Sequence, residues 1–413
     1  MKPIFTALAP NATHTDALLA LKLFLTPWQW RKGSAHDELK ERLEEYCGGG
    51  AVSLCASGRT ALTLLLESLD LTTGDEVAIQ SYSCVAVPNA VSAAGVRPVY
   101  VDCEEKSLNI SLADLTKKIT LRTRALVVQH TFGIPAHINE LVAFAKEKNL
   151  FLIEDCAHSL GAEVSGRKVG TFGDAAFFSF GRDKVISSVF GGALVVYDSS
   201  VAPRVTARMK TISPSPLGWI AQQLFHPIIT VFVRATFSFF SFGKLVLWAA
   251  KRMHLLSRPV ERSEKGGRSN PALYHSMPNA LCALALSQWK RRDAFNSHRR
   301  TCAAEYDRGL AGLPICVPQV PSTSNPIFLR YTILTDRARD LIRFAAARSI
   351  FLGDWYQQPI APEGVSYPAI GYSEGSCPIA ERSATQSVNL PTDIHITPTD
   401  RSRIVSCVRN FFL

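Results

Sequence analysis

The chain has 413 residues, 47% of them apolar, and a formal charge of +10. That length suits two domains, or one large domain with an appendage, and that composition excludes wholesale disorder. The positive charge fits anionic substrates, an anionic membrane surface or nucleic acid, but no zinc-finger spacing, RNA-binding aromatic signature or basic heptad helix is present, so nucleic acid is not expected.

Residues 15–31, "TDALLALKLFLTPWQWR", read as an amphipathic helix ended by Pro27. A charged helix, "HDELKERLEEYCGG", follows and stops at glycines. Strand and helix patterns then alternate: "AVSLCASG" and "TALTLLLESL", "GDEVAIQ" and "SCVAVPNAVSAAG", "VRPVYVDC" and "SLADLTKKIT", "RALVVQHTFG" and "INELVAFAKEKN", then the strand "LFLIEDCA". This rhythm predicts a doubly wound, mostly parallel sheet, with ligands at the carboxyl ends of its strands. One long helix is expected from "NALCALALSQW" through "YDRGL". The remainder, with "PIFLRYTILTD", "ARDLIRFAAARSI" and "SVNLPT", reads as a smaller α+β domain. The expected division is an N-terminal helical segment at 1–35, a large domain at 36–295 and a small domain at 296–413.

The ten cysteines are scattered without a C-x-x-C pair, the usage of reduced thiols in a cytoplasmic protein, and no metal site is read from them. The N-terminus turns polar before a signal-peptide core could form. The "NAT" at Asn11 is then a chance match to a glycosylation acceptor.

Three features fall at strand ends. "SGRTAL", from Ser57, opens a helix, whose free N–H groups and dipole make an anion site; Ser57 and Arg59 can add donors, or the motif is a plain N-cap. Asp155 in "IEDCAHSLGA" follows an apolar strand, with His158 three residues on; it is a helix cap or the partner of a buried cation. Ser179 and Lys184 in "FFSFGRDKVISSVFGG" sit among apolar residues and glycines. A lysine in a dry pocket loses its ammonium proton more easily and becomes a nucleophile. A phosphate turn, an acid and a lysine, in that order, are what pyridoxal 5'-phosphate requires.

The blocks "ASGRTALTLLLESLDLTTGDEVAIQSYSCVAVPNAV", "FLIEDCAHSLGAEVSGRKVGTFGDAAFFSFGRDKV", "GGALVV" and "MPNALCALALSQW" resemble, in order, the DegT/StrS-type aminotransferases. The resemblance implies the aspartate-aminotransferase fold, a three-layer α/β/α large domain with a smaller C-terminal α+β domain. It implies amination of a nucleotide-linked keto sugar, with glutamate as donor, by a homodimer. On this pattern Lys184 matches the Schiff-base lysine and Asp155 the partner of the pyridine nitrogen. His158 lies near the cofactor's phenolic oxygen, and Ser57, Gly58 and Ser179 match phosphate contacts. Three positions depart from it. Arg59 replaces a threonine, implying a stronger, charged phosphate grip. Cys84 replaces an aromatic residue, so ring stacking weakens or comes from Tyr82. Tyr274 and Ser276 stand where an asparagine from the partner subunit is common. Alternatives are a pyridoxal-phosphate sugar dehydratase, which would need histidine at Lys184, and a non-catalytic regulatory or scaffold protein.

Between Gly191 and Met277 the chain is longer than that family's usual link. The excess, an insertion at about 213–258, is apolar, with Phe225, Phe232, Phe237, Phe239, Phe240, Phe242 and Trp248. Arg234 and Pro227 argue against a simple span. Flanking cations, Arg204, Arg208 and Lys210 before, Lys251, Arg252, Arg258 and Arg262 after, suit helices lying in a membrane interface. The competing expectation is that 217–253 covers the core or a partner subunit.

Overall fold

The computed structural model describes residues 2–237 and 242–413; Phe239 and Phe240 of the apolar stretch lie outside the described residues. The central sheet has seven strands: β1 (Ala51–Cys55), β2 (Glu76–Gln80), β3 (Arg97–Val101), β4 (Thr123–Gln129), β5 (Phe151–Asp155), β6 (Ala175–Ser179) and β7 (Gly192–Val196). Their spatial order is 1-7-6-5-4-2-3. All run parallel except β7, which is antiparallel to both β1 and β6.

Both faces of the sheet are covered, which is why its strands are apolar at consecutive positions. Alternate residues still serve different cores. Ala78, Leu126 and Val128 pack with Leu39, Leu43 and Leu281 on one face. Val77, Ile79 and Val127 pack with Leu62 and Leu65 on the other. The first face carries α1 (His14–Phe24) and α2 (Ser34–Cys47), and the second α3 (Gly58–Leu66). A third core, with Tyr306, Ile333, Leu341, Val388 and Ile404, lies toward the C-terminus, where Tyr331–Leu334 pairs antiparallel with Ser387–Leu390.

Two sequence expectations need correction. The N-terminal helix ends at Phe24, and Pro27 opens a separate 3-10 turn, Pro27–Gln29, because proline fits a first helical position but not an interior. The long helix is broken into α6 (Asn279–Trp289) and α7 (Arg292–Leu310), with α4 (Leu217–Thr236) and α5 (Phe242–Arg252) preceding them. The break is physical. Leu281, Leu284 and Ala285 of α6 serve the first core, whereas Cys302, Ala303 and Tyr306 of α7 serve the third. At the break Arg291 takes φ −112° and ψ 0°, and its guanidinium binds Asp16 of α1 at 2.5 Å and Thr13 at 2.9 Å.

The insertion forms α4 and α5. α4 packs on α1 and α6, and Ile220 and Leu224 enter the first core. Pro227 sits inside α4 and Arg234 donates to the Leu8 carbonyl at 2.6 Å. No helix among the described residues is long and apolar enough to cross a membrane.

The tightest point of the sheet is the start of β7. A Cβ on Gly192 would lie 2.5 Å from the Gly58 nitrogen and 2.6 Å from the Ser57 carbonyl carbon. Those are backbone atoms that no rotamer change can clear. Gly192→Ala is therefore expected to lower unfolding free energy by roughly 1–3 kcal/mol, the usual cost of overpacking. Denaturant unfolding measures it; wild-type stability in the variant would show that β7 can move freely from α3.

Candidate active site

The strand order brings three chain ends together. β1 leads into Ser57, β5 ends at Asp155 and β6 ends at Ser179, with only β7 between β1 and β6. Ser57 is the N-cap of α3 and its Oγ accepts the Thr60 N–H at 3.2 Å. The first-turn N–H groups of Gly58 and Arg59 have no intrahelical partner and remain for an anion. Gly58 is required for closeness: a Cβ there would lie 3.2 Å from the Ser179 Cβ.

Of the nine residues singled out in the sequence, eight lie on the wall of one cavity of about 550 Å³, and Tyr82 does not. That volume is in the range of small-molecule sites. Lys184 reaches it from the loop joining β6 to β7. Its backbone is held by the Gly181 carbonyl at 3.1 Å and by Asn11, whose Nδ2 donates to the Lys184 carbonyl at 2.6 Å. Burial lowers the pKa of the Lys184 amine below its ordinary 10.5, against the opposing pull of Cys84, Asp155 and Asp183. Burial raises that of Asp155, against the Ala157 N–H, Lys184 and His130. Asp155 Oδ1 takes the Ala157 N–H at 2.9 Å, and Oδ2 has no partner among the described residues.

His158 stacks with Phe132 and with Trp355, each at a centroid distance of 5.8 Å. Burial, then Lys184 and Arg330, push its pKa well below 6.5, so the ring is neutral near pH 7. Its Nδ1 accepts the Phe132 N–H at 3.4 Å, which leaves the proton on Nε2, facing the Tyr356 hydroxyl at 3.4 Å.

The model of the family described as "DegT/DnrJ/EryC1/StrS aminotransferase family" matches residues 13–215 and 248–409. The chain belongs to that family. It is 26% identical over 391 residues to a GDP-perosamine synthase of Vibrio cholerae, covering 93% of each chain. It is 28% identical over 400 residues to a dTDP-3-amino-3,4,6-trideoxy-alpha-D-glucose transaminase of Streptomyces venezuelae, covering 96% of this chain and 92% of that one. Among solved structures, S. venezuelae DesV in complex with a ketimine intermediate superposes with a TM-score of 0.74 at 27% identity, covering 96% and 94%. The chain is thus a pyridoxal-phosphate-dependent aminotransferase with the three-layer fold expected of it.

The residues present fit that cofactor. An unpartnered carboxylate oxygen on Asp155 suits a ring N–H, the α3 N-terminus suits a phosphate, and Lys184 offers a desolvated amine. Two of the departures from this family's pattern resolve as follows. Tyr82 is fully buried away from the cavity; its hydroxyl pairs with Ser387 and accepts the Tyr356 N–H at 3.3 Å. It offers the cavity no stacking face. The residue sequence reasoning missed is Trp355, whose ring lies 5.5 Å from the Lys184 nitrogen and flat against His158. Its signal was the aromatic pair in "DWYQQPI", a stretch remote in sequence from every motif. Arg59 lines the cavity but its guanidinium is engaged elsewhere, with Glu264 at 2.8 Å and the Pro259 carbonyl at 2.7 Å.

His130, Glu154 and Cys156 cluster closely enough to suggest a metal. Glu154 is already committed, accepting from Gly170, Phe172 and Gly173 N–H groups at 2.8, 2.5 and 2.9 Å and facing His130 at 3.2 Å. His130 Nδ1 accepts the Ala136 N–H. This cluster anchors the 170–173 turn.

Glu264 is 1% exposed, so removing its cation strands a buried carboxylate. Arg59→Ala should cost roughly 3 kcal/mol of stability, the lower end for a broken buried pair, while the folded variant keeps the visible absorbance of bound cofactor. Unfolding of the single variant and of Arg59→Ala with Glu264→Gln checks this; the second change should restore stability. Unchanged stability with lost cofactor would place the Arg59 side chain on the phosphate instead.

Proposed function

We propose that this aminotransferase moves an amino group from glutamate to a keto group of a nucleotide-linked sugar, in glycan biosynthesis. The observation that carries the proposal is the convergence of a desolvated Lys184 amine, the open Asp155 oxygen and the α3 N-terminus on one cavity. The substrate class draws support from relatives named for GDP- and dTDP-linked sugars. A dehydratase of this kind would need histidine at Lys184, and a scaffold protein has no use for a buried lysine and carboxylate on one cavity wall.

Lys184 would hold the cofactor through its amine, Asp155 would take its ring N–H, and Ser57, Gly58 and Ser179 would receive its phosphate. Pyridoxal phosphate supplies an electron sink that weakens the donor's Cα–H bond. Asp155, as the carboxylate, would hold a proton at that ring nitrogen. Lys184 Nζ would take the proton from the α-carbon of the amino donor and would deliver a proton to the sugar carbon that receives the amino group. Neutral His158 and Trp355 provide a flat wall that excludes water. The same reading makes the enzyme a homodimer in the cytoplasm, with a membrane surface within reach of 217–253.

The decisive experiment incubates the enzyme with glutamate and a panel of nucleotide-linked keto sugars and follows 2-oxoglutarate. Turnover of one or more is expected; turnover only of free or lipid-linked sugars would overturn the nucleotide-linked assignment. Light scattering should give twice the chain mass.

Lys184→Ala should lose transamination by at least the hundred- to ten-thousandfold associated with a positioned acid–base group, with an unchanged fold by circular dichroism. Asp155→Asn should retain cofactor and lose most turnover; near wild-type rates would remove Asp155 from the mechanism.

The rate of cofactor uptake should also depend on pH. The reactive form of Lys184 is the free amine, so cofactor uptake by the apoenzyme should accelerate as pH rises through a pKa below 10.5. Asp183 favours the ammonium form. Asp183→Asn should therefore move the rising limb to lower pH, read by stopped-flow absorbance. A shift to higher pH would contradict the electrostatic reading.

A further inference from the structure

The chain between Asp198 and Glu261 contains no acidic residue, yet it holds eight lysines and arginines. α4 and α5 come from this stretch, and the family match passes over 216–247. α5 is an inside-out helix. Its buried residues are Gly243 and Ala250, while Phe242, Leu245 and Trp248 are exposed, the last two by 58% and 64%. Gly243 explains the orientation, since a Cβ there would meet the Phe237 Cα and the Val233 carbonyl at 2.8 Å. α5 thus presses a bare backbone against the end of α4 and turns its large side chains outward.

A second exposed apolar row lies on a neighbouring helix. α1 packs against α4. It buries Ala20 and Leu23 and exposes Leu18, Leu21 and Leu25, with Trp28 beyond it at 72% exposure. Of the fifteen large apolar side chains most exposed among the described residues, ten belong to α1, its following turn, α4 and α5 or their immediate flanks. Lys22, Lys244, Lys251 and Arg252 are exposed among them, and none makes an ion pair among the described residues. A dense apolar patch of this kind on a water-facing surface marks an interaction site.

We propose that the outer faces of α1, α4 and α5 form a docking surface for an anionic lipid membrane. Leucine, phenylalanine and tryptophan interleaved with cations, lying along the surface rather than across it, are what an interfacial helix presents to acyl chains and headgroups. Charge decides between lipid and a second copy of the chain. A two-fold interface sets a patch against itself, so pairing this face would oppose lysine to lysine with no carboxylate of α4 or α5 to relieve it. Anionic headgroups supply the missing counter-charge, and each surface cation adds about fivefold in affinity. This surface stands apart from the substrate reading, because the helices that form it contribute no residue to the cavity wall.

Flotation of the full-length enzyme tests it, using vesicles of phosphatidylglycerol with phosphatidylethanolamine, against pure phosphatidylcholine. The wild type should float with the anionic vesicles and not with phosphatidylcholine, and high salt should release it. Leu245→Glu with Trp248→Glu should abolish flotation while transaminase turnover and light-scattering mass stay unchanged. The milder pair Lys251→Gln with Arg252→Gln should weaken binding about thirtyfold, the weight of two surface cations. Absence of wild-type flotation, flotation undiminished in either pair, or a halved mass in Leu245→Glu with Trp248→Glu would each overturn the proposal, the last by assigning the face to a second copy.

Discussion

The whole site hangs on how closely β7 can pass the start of α3. A single strand lies between β1 and β6, and it must run antiparallel to both. Were Gly192 any larger, β7 would push Ser57 and Gly58 away from Ser179. The anion cradle would then separate from the lysine loop that Gly191 and Gly192 terminate. Close backbone approach, more than any side-chain contact, sets the distance between phosphate end and lysine end. The glycine pair is therefore a geometric requirement of the chemistry, and the neighbouring Gly191 at φ +150° serves the same turn.

Around that frame the charges are arranged to be unsettled without a ligand. Lys184 and Asp155 are both pushed by burial toward their neutral forms. Glu154, the adjacent residue on β5, has the opposite situation: it points to the other face and is saturated with N–H donors. Two successive carboxylates on one strand thus divide by the two-residue period of the sheet, one building structure and one left open to the cavity. An open buried carboxylate costs free energy that a bound ring N–H recovers, so this strand end favours a cationic partner.

What the sequence made legible was everything local. Alternating patterns located the strands, and Ser57, Asp155, Ser179 and Lys184 each stood at a strand end, where a parallel sheet collects ligands. What escaped was long-range. Nothing in "SGRT" announces that Arg59 will pair with Glu264 across some two hundred residues, and a charged residue in an anion motif reads naturally as an anion contact. Tyr82 and Cys84 are two residues apart, on the same side of an extended chain, so both side chains could have faced the cavity. Pairing of Ser83–Cys84 with Ile360–Ala361 fixes which one does not: Tyr82 turns into the core against Ser387. Trp355 arrives from that same distant segment. The helix break at Arg291 escaped for a similar reason, because no glycine or proline marks it and the cause is a division of labour between two cores.

The insertion was legible as apolar and basic, but its attachment to the chemistry was not. From α4, Gln223 accepts the Ser257 hydroxyl at 2.6 Å, and Ser257 in turn receives the Arg182 guanidinium through its hydroxyl at 2.8 Å and its carbonyl at 2.7 Å. Arg182 lies two residues before Lys184, lines the cavity, and has its pKa lowered by burial to about 10. A cation so desolvated is held by few partners, and two of them belong to one serine at the foot of the insertion. The buried side of α4, at Gln223, and the lysine loop are therefore opposite ends of one short hydrogen-bonded path. Ile220 and Leu224, on either side of Gln223, fasten that part of α4 to the first core, so the path is anchored apart from the outward-turned side chains of α5.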